Sequence, residues 1–236
     1  MPYFATAAHV MKILITSPTH EEISPLDRIL EEQEATGALR NHLINLAVTG
    51  VGSTITAYHL TKLVAPANWD LVLQLGICGS FDTALKNGTV VNVTEERFAD
   101  WGAEDDENFL DAFELGLMAP DAFPFVNGSL RNKSAVKSDT LDILPRVTGI
   151  TVNKVHGNEK NITSIHSKYH PGVESMEGAA LFYCCLMESV PFLELRCVSN
   201  AVEKRDRSKW NIPLAVEKLN QTAMKIISEL LETKNP

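Results

Sequence analysis

The sequence predicts an α/β fold in which a mostly parallel sheet is covered by helices. Short apolar runs of strand length alternate with longer amphipathic stretches, and no repeat, linker or low-complexity tract interrupts them. A length of 236 residues also suits one domain, able to bury roughly 70% of its unfolded surface. In chain order, residues 13–16 read as a strand, 25–33 as a helix, 43–48 as a strand and 54–64 as a helix. Residues 71–75, 90–94 and 149–152 read as strands, 176–188 as a helix and 192–198 as a strand. A final helix over 214–231 carries Val216, Leu219, Ala223, Ile226, Ile227 and Leu230 at the three-and-four spacing of one helical face. Residues 98–125, rich in Asp, Glu, Gly and Pro, read as a surface helix and loop, or else as a flap or subunit contact.

Charge and composition exclude several classes. A formal charge of -9 and a pI near 5.3 argue against nucleic-acid binding, which needs clustered Lys and Arg. The longest apolar run, residues 179–187, is far below the ~20 residues of a membrane-spanning helix, so a soluble, cytoplasmic protein is expected. Cys78, Cys184, Cys185 and Cys197 show no C-x-x-C spacing and read as reduced core thiols. Residues 1–10 lack a basic start and read as an extension of no functional weight ahead of Met11, where residues 11–236 begin the domain.

The most informative stretch is Val198-Ser199-Asn200-Ala201-Val202, which follows the apolar run Pro191 to Cys197. An apolar run ending on a small polar residue and an amide puts Asn200 at the carboxyl end of a strand, where open α/β sheets present chemistry. Upstream, Val173-Glu174-Ser175-Met176-Glu177-Gly178 leads into an apolar segment. Ser175 could cap a helix there, with Glu177 favoured in its first turn by the helix dipole. His156, His166 and His170 have no third ligand at a known spacing, so no metal and no cofactor is expected.

These two stretches resemble the signature half of the purine nucleoside phosphorylase and nucleosidase superfamily. The resemblance extends to Met11 through Glu22, similar to the opening of bacterial methylthioadenosine nucleosidases, and to the glycine-bearing stretches Val48 to Ser53 and Gln74 to Ser80. It implies a single-domain, three-layer α/β/α nucleoside phosphorylase-like fold about a mixed, largely parallel sheet, a small nucleoside as partner and a homo-oligomer. It implies that Glu22 activates water, that Ser175, Met176 and Glu177 hold the ribose, and that Asn200 contacts the purine. Turns at Gly50 and Gly52, and at Gly76, Ile77, Cys78 and Gly79, would let the backbone approach the ligand. Gln74 stands where hexameric phosphorylases carry a phosphate-binding Arg, which favours water over phosphate as nucleophile.

Asn200 narrows the base. The two N–H bonds of an amide suit the O6 and N7 acceptors of a six-oxopurine, where an ionised Asp would meet O6 with repulsion. Residues 95–105 and 199–215 carry a narrower resemblance, to hydrolases of a six-oxopurine nucleoside whose far end is a benzoate, and Arg205 or Arg207 would pair with that carboxylate. Ser175 departs from the methylthioadenosine enzymes, whose first ribose carboxylate directly precedes Met-Glu; here Glu174 is displaced by one residue. An adenine-releasing nucleosidase, a true phosphorylase and an inactive nucleoside-binding module stay open as alternatives.

Overall fold

The computed structural model describes residues 10–37, 39 and 42–232, so the expected N-terminal extension, apart from Val10, lies outside the described residues. In chain order the elements are β1 (Lys12–Ser17), α1 (Ser24–Thr36), β2 (Leu43–Val48), α2 (Ser53–Val64), β3 (Leu71–Ser80) and β4 (Val90–Phe98). There follow β5 (Gly102–Asp105), β6 (Asn108–Asp111), β7 (Leu130–Arg131), α3 (Asp139–Asp142), β8 (Arg146–Thr151) and α4 (Glu159–Tyr169). The described residues close with β9 (Val173–Ser175), α5 (Gly178–Met187), β10 (Phe192–Ala201), a short 3-10 turn over Arg207–Lys209 and α6 (Ile212–Glu232).

The fold is α/β with a mixed sheet. β1 pairs in parallel with β2 and β3, and β10 in parallel with β3, whereas β10 meets β4 and β9 meets β3 in the antiparallel sense. β1 is buried over five consecutive residues, as a strand covered on both faces must be. Ile13 and Ile15 face α1 and α6, while Leu14 faces the side covered by α2 and α5.

The sheet does not stay open. β3 is flanked on one side by β10 and on the other by β1 and then, at Gly79 and Ser80, by β9. Because β9 continues through β8 and β4 back to β10, five strands close a ring, a partial barrel from which β1 and β2 extend. Bulges between Val93 and Glu95 and between Val198 and Asn200 supply local bending where the ring turns.

Several sequence expectations are corrected. Gly76 to Gly79 do not form a turn; they continue β3 to Ser80, because β10 and then β9 supply pairing partners that a sequence window does not contain. Residues 98–125 hold no helix. Instead β5 and β6 form an exposed hairpin whose turn residue Asp106 takes a left-handed φ of 55°. Behind it Trp101, Phe113 and Phe125 pack as an aromatic group against Tyr183 of α5. The helix expected from Met176 begins at Gly178; Ser175 belongs to β9, and Glu177 occupies the N-cap without a side-chain cap bond. α4 was not foreseen, although Asn158 caps it by accepting from Lys160 and Asn161 N–H groups.

Ile226 is fully buried in α6, so Ile226→Ala should lower unfolding free energy by about 2–5 kcal/mol. Leu117→Ala, at a side chain 74% exposed, should change it by less than ~0.5 kcal/mol. Paired urea denaturation curves measure both, and equal midpoints would remove α6 from the core.

Candidate active site

Glu22 sits in the turn between β1 and α1, and its carboxylate is held from two sides. Oε2 accepts from the Thr19 hydroxyl at 2.7 Å and the Thr19 N–H at 3.2 Å, while Oε1 accepts from the Ile77 N–H of β3 at 2.9 Å. The backbone is fixed by α6, where Asn220 Nδ2 donates to the Glu22 carbonyl at 2.8 Å and Oδ1 accepts from Leu26 N–H. Burial pushes the Glu22 carboxyl above the usual carboxylate range, against the pull of the Ile77 and Thr19 hydrogen bonds. A carboxylate raised in this way is a stronger base when ionised.

Beside it lies a buried ion network. Arg196 of β10 is 1% exposed and gives Nε–H to Glu194 at 2.7 Å, Nη1–H to Glu177 at 3.2 Å and Nη2–H to the Gln74 side-chain carbonyl at 3.1 Å. It lies across Gly76, where an added Cβ would come within 2.3 Å of Nη1, so only glycine permits the close approach. The other Glu177 oxygen accepts from the Gly52 N–H at 3.0 Å, joining the turn after β2 to the start of α5. Gly50 and Gly52 take left-handed φ of 87° and 92° in that turn. Glu96 of β4 completes the group; it accepts from the Thr151 hydroxyl at 2.9 Å. Desolvation, followed by the charge of Glu194, drives the Glu96 carboxyl well up, and desolvation also raises Glu194.

A cavity of about 390 Å³ opens beside this network and is bordered by Glu22, Glu177, Met176, Asn200, His156 and Arg205, among others. Asn200 gives Nδ2–H to the Ala201 carbonyl at 2.9 Å and accepts from the Ser199 hydroxyl at 2.8 Å. One amide N–H is therefore already engaged within the protein, and one remains for a ligand. Glu174 of β9 accepts both the His156 N–H at 2.9 Å and His156 Nδ1 at 2.5 Å. The Arg205 guanidinium stacks 4.9 Å from the Trp210 ring centre.

Of the residues singled out from the sequence, Glu22, Ser175, Met176, Glu177, Ile77, Cys78, Gly79, Asn200 and Arg205 border this one cavity. Gly50, Gly52, Gly76 and Arg207 do not border it; the Arg207 guanidinium lies 5.9 Å from the Trp210 ring centre. Arg196, Glu194, Glu96, Asn220 and the His156–Glu174 pair were missed. Glu194 and Arg196 did leave a signal: two charges at a spacing of two in an otherwise apolar strand must share one face. Among the described residues no group of three or more His, Cys, Asp and Glu side chains is placed to hold a metal ion. Nor is any described helix long and apolar enough to cross a membrane.

A closed mixed sheet with acidic and amide side chains converging on a cavity at its strand ends defines the class. The chain belongs to the phosphorylase superfamily, whose family model matches residues 7–232. More particularly, it is 30% identical over 183 residues to futalosine hydrolase of Acidothermus cellulolyticus, covering 74% of this chain and 71% of that one. It is 28% identical over 238 residues to 5'-methylthioadenosine/S-adenosylhomocysteine nucleosidase of Psychromonas ingrahamii, covering 93% and 100%. A futalosine hydrolase mutant of Helicobacter pylori strain 26695 shares the fold, with a TM-score of 0.74 at 17% identity, covering 94% of this chain and all of that one.

The raised carboxyls make a prediction about stability. Folded Glu22, Glu96 and Glu194 release their protons at higher pH than the unfolded chain, whose carboxyls titrate at the ordinary value of 4.5. Stability therefore falls as pH climbs from that value toward the folded-state values. Glu96→Gln, a neutral isostere, should flatten this decline, leaving the melting temperature near wild type at pH 5 and above it at pH 8. Thermal melts across that range test it; parallel curves for the two proteins would show that Glu96 bears no such proton.

Proposed function

We propose that this chain is a nucleosidase that hydrolyses the N-glycosidic bond of futalosine, releasing hypoxanthine, as a step of the alternative menaquinone pathway. The observation that carries this reading is the convergence, on one cavity, of a raised carboxylate at Glu22, a second carboxylate at Glu177, an amide at Asn200 and a cation at Arg205. In this reading Glu22 aligns and deprotonates water. Glu177 accepts from ribose hydroxyls with lone pairs left over from Gly52 and Arg196, and Met176 supplies apolar surface to the sugar. The remaining Asn200 N–H stabilises charge growing on N7 as the bond breaks, which lowers the barrier because the interaction strengthens in the transition state.

Arg205 rather than Arg207 is the proposed partner of the substrate carboxylate, since it borders the cavity. A second reading, release of adenine from methylthioadenosine or S-adenosylhomocysteine, is favoured by the full-length similarity to the Psychromonas enzyme. Asn200 and Arg205 weigh against it. For the expected oligomer we propose that a second copy covers the face bearing the exposed Ile55 and Tyr58 of α2 and Tyr183 and Met187 of α5. Spacings of three and four place each pair on one helical face.

A substrate panel with mass-spectrometric detection tests the activity. Futalosine should yield hypoxanthine and an unphosphorylated sugar product at a rate that added phosphate does not raise. Glu22→Gln should lose about 10²- to 10⁴-fold in kcat. Arg205→Ala should lose about tenfold in kcat/KM on futalosine and little on inosine, which lacks the benzoate. A sugar 1-phosphate, or adenine release alone, sinks the assignment. For the oligomer, sedimentation should give a multimer that Ile55→Glu weakens; a monomeric wild type removes that proposal.

A further inference from the structure

The site contains a hydrogen-bonding pair that the mechanism above does not use. Glu174 is 4% exposed, and among the described residues both hydrogen bonds to its carboxylate come from His156, one from the backbone N–H and one from Nδ1. A buried carboxylate needs such donors, and in return it fixes the imidazole ring in one orientation. The loop that carries His156 is pinned independently, because Asn153 donates its backbone N–H to Asp100 at 2.6 Å and its amide to the same carboxylate at 3.1 Å. Nε2 of His156 has no partner among the described residues, and the ring borders the cavity with its side chain 14% exposed.

The strand register places this pair opposite Asn200. Gly79 of β3 is aligned with Glu174 of β9 on one side and with Asn200 of β10 on the other. Residues aligned across neighbouring strands project from the same face, and Asn200 Nδ2 lies 3.3 Å from where a Gly79 Cβ would stand. Glu174 and Asn200 thus stand on either side of Gly79, on strands about 10 Å apart, two inter-strand spacings.

A six-oxopurine presents two adjacent acceptors, N7 and O6, and Asn200 has a single N–H left to offer. We propose that His156 is the second reader of the base: as an imidazolium ion-paired with Glu174 through Nδ1–H, it donates Nε2–H to O6 while Asn200 donates to N7. This inference rests on the reading of the chain as a hypoxanthine-releasing nucleosidase and adds the residue that sets the base preference. Adenine, with an amine at the six position, would turn a donor toward a donor.

The test uses free hypoxanthine and free adenine as calorimetric probes, alongside futalosine and aminofutalosine as substrates, with wild type, His156→Phe, His156→Gln and Glu174→Gln. Wild type should bind hypoxanthine more tightly than adenine. His156→Phe should cut that preference about tenfold to a hundredfold by weakening hypoxanthine alone, the range expected for a charge-assisted hydrogen bond. His156→Gln, which keeps an N–H donor, should recover part of it. Should His156→Phe fail to melt cooperatively, Glu174→Gln carries the test, since an unclamped ring should also lose preference. A wild-type preference that survives both His156→Phe and Glu174→Gln overturns the inference while leaving the function intact. A wild type that releases no hypoxanthine from futalosine and prefers adenine overturns both.

Discussion

One buried guanidinium organises the working end of this protein. Arg196 is enclosed by the carboxyls of Glu194 and Glu177 and the amide of Gln74, with Glu22 and Glu96 close enough to share its field. Burial opposes its charge, yet Glu194 and Glu177 raise the guanidinium still further, so it stays a cation. With one cation among several carboxyls, charge balance requires that some of the acids keep their protons. The same side chain ties β10 to β3 and to the entry of α5, which makes the position of Glu177 depend on it. Removal of one partner from such a network is costlier than its apparent contribution, because the remaining charges are left in low dielectric.

Much of this was legible from the chain, for identifiable reasons. The alternation of strands and helices and the glycine-bearing stretches follow from local pattern, and Asn200 stands at a strand end as its apolar run implied. Ring closure was not legible, because β9 has only three residues and its partners lie about a hundred residues away in β3. The hairpin of β5 and β6 was hidden by its composition, since β5 is exposed throughout and β6 buries only Asp111, so neither arm needs an apolar alternation. Arg196 and Glu194 were overlooked because a strand that reads as apolar on average can still bury two charges on one face.

The displaced acid at Glu174 acquires a physical meaning. Side chains along a strand alternate between faces, so a shift of one residue sends a carboxylate to the opposite side. Ser175, left in the position next to Met176, accepts the Gly178 N–H at 3.3 Å and so attends to the start of α5. Glu174 turns instead to His156. A single-residue offset in β9 thus sets a serine beside Met176 and turns the acid to clamp an imidazole on the cavity wall.

The closed ring also dictates an order of assembly. β10 inserts between β3 and β4, more than ninety residues earlier in sequence. A nascent chain that has emerged only through β9 therefore exposes unpaired backbone along both of those strands. Contacts of such long sequence separation are slow to form, since loop closure must precede the reward. Arg196 travels on that strand, so the carboxyls of the site meet their counter-charge only after β10 has been made. Products truncated before β10 would be aggregation-prone and without an organised cavity, so everything made ahead of that strand waits on its arrival.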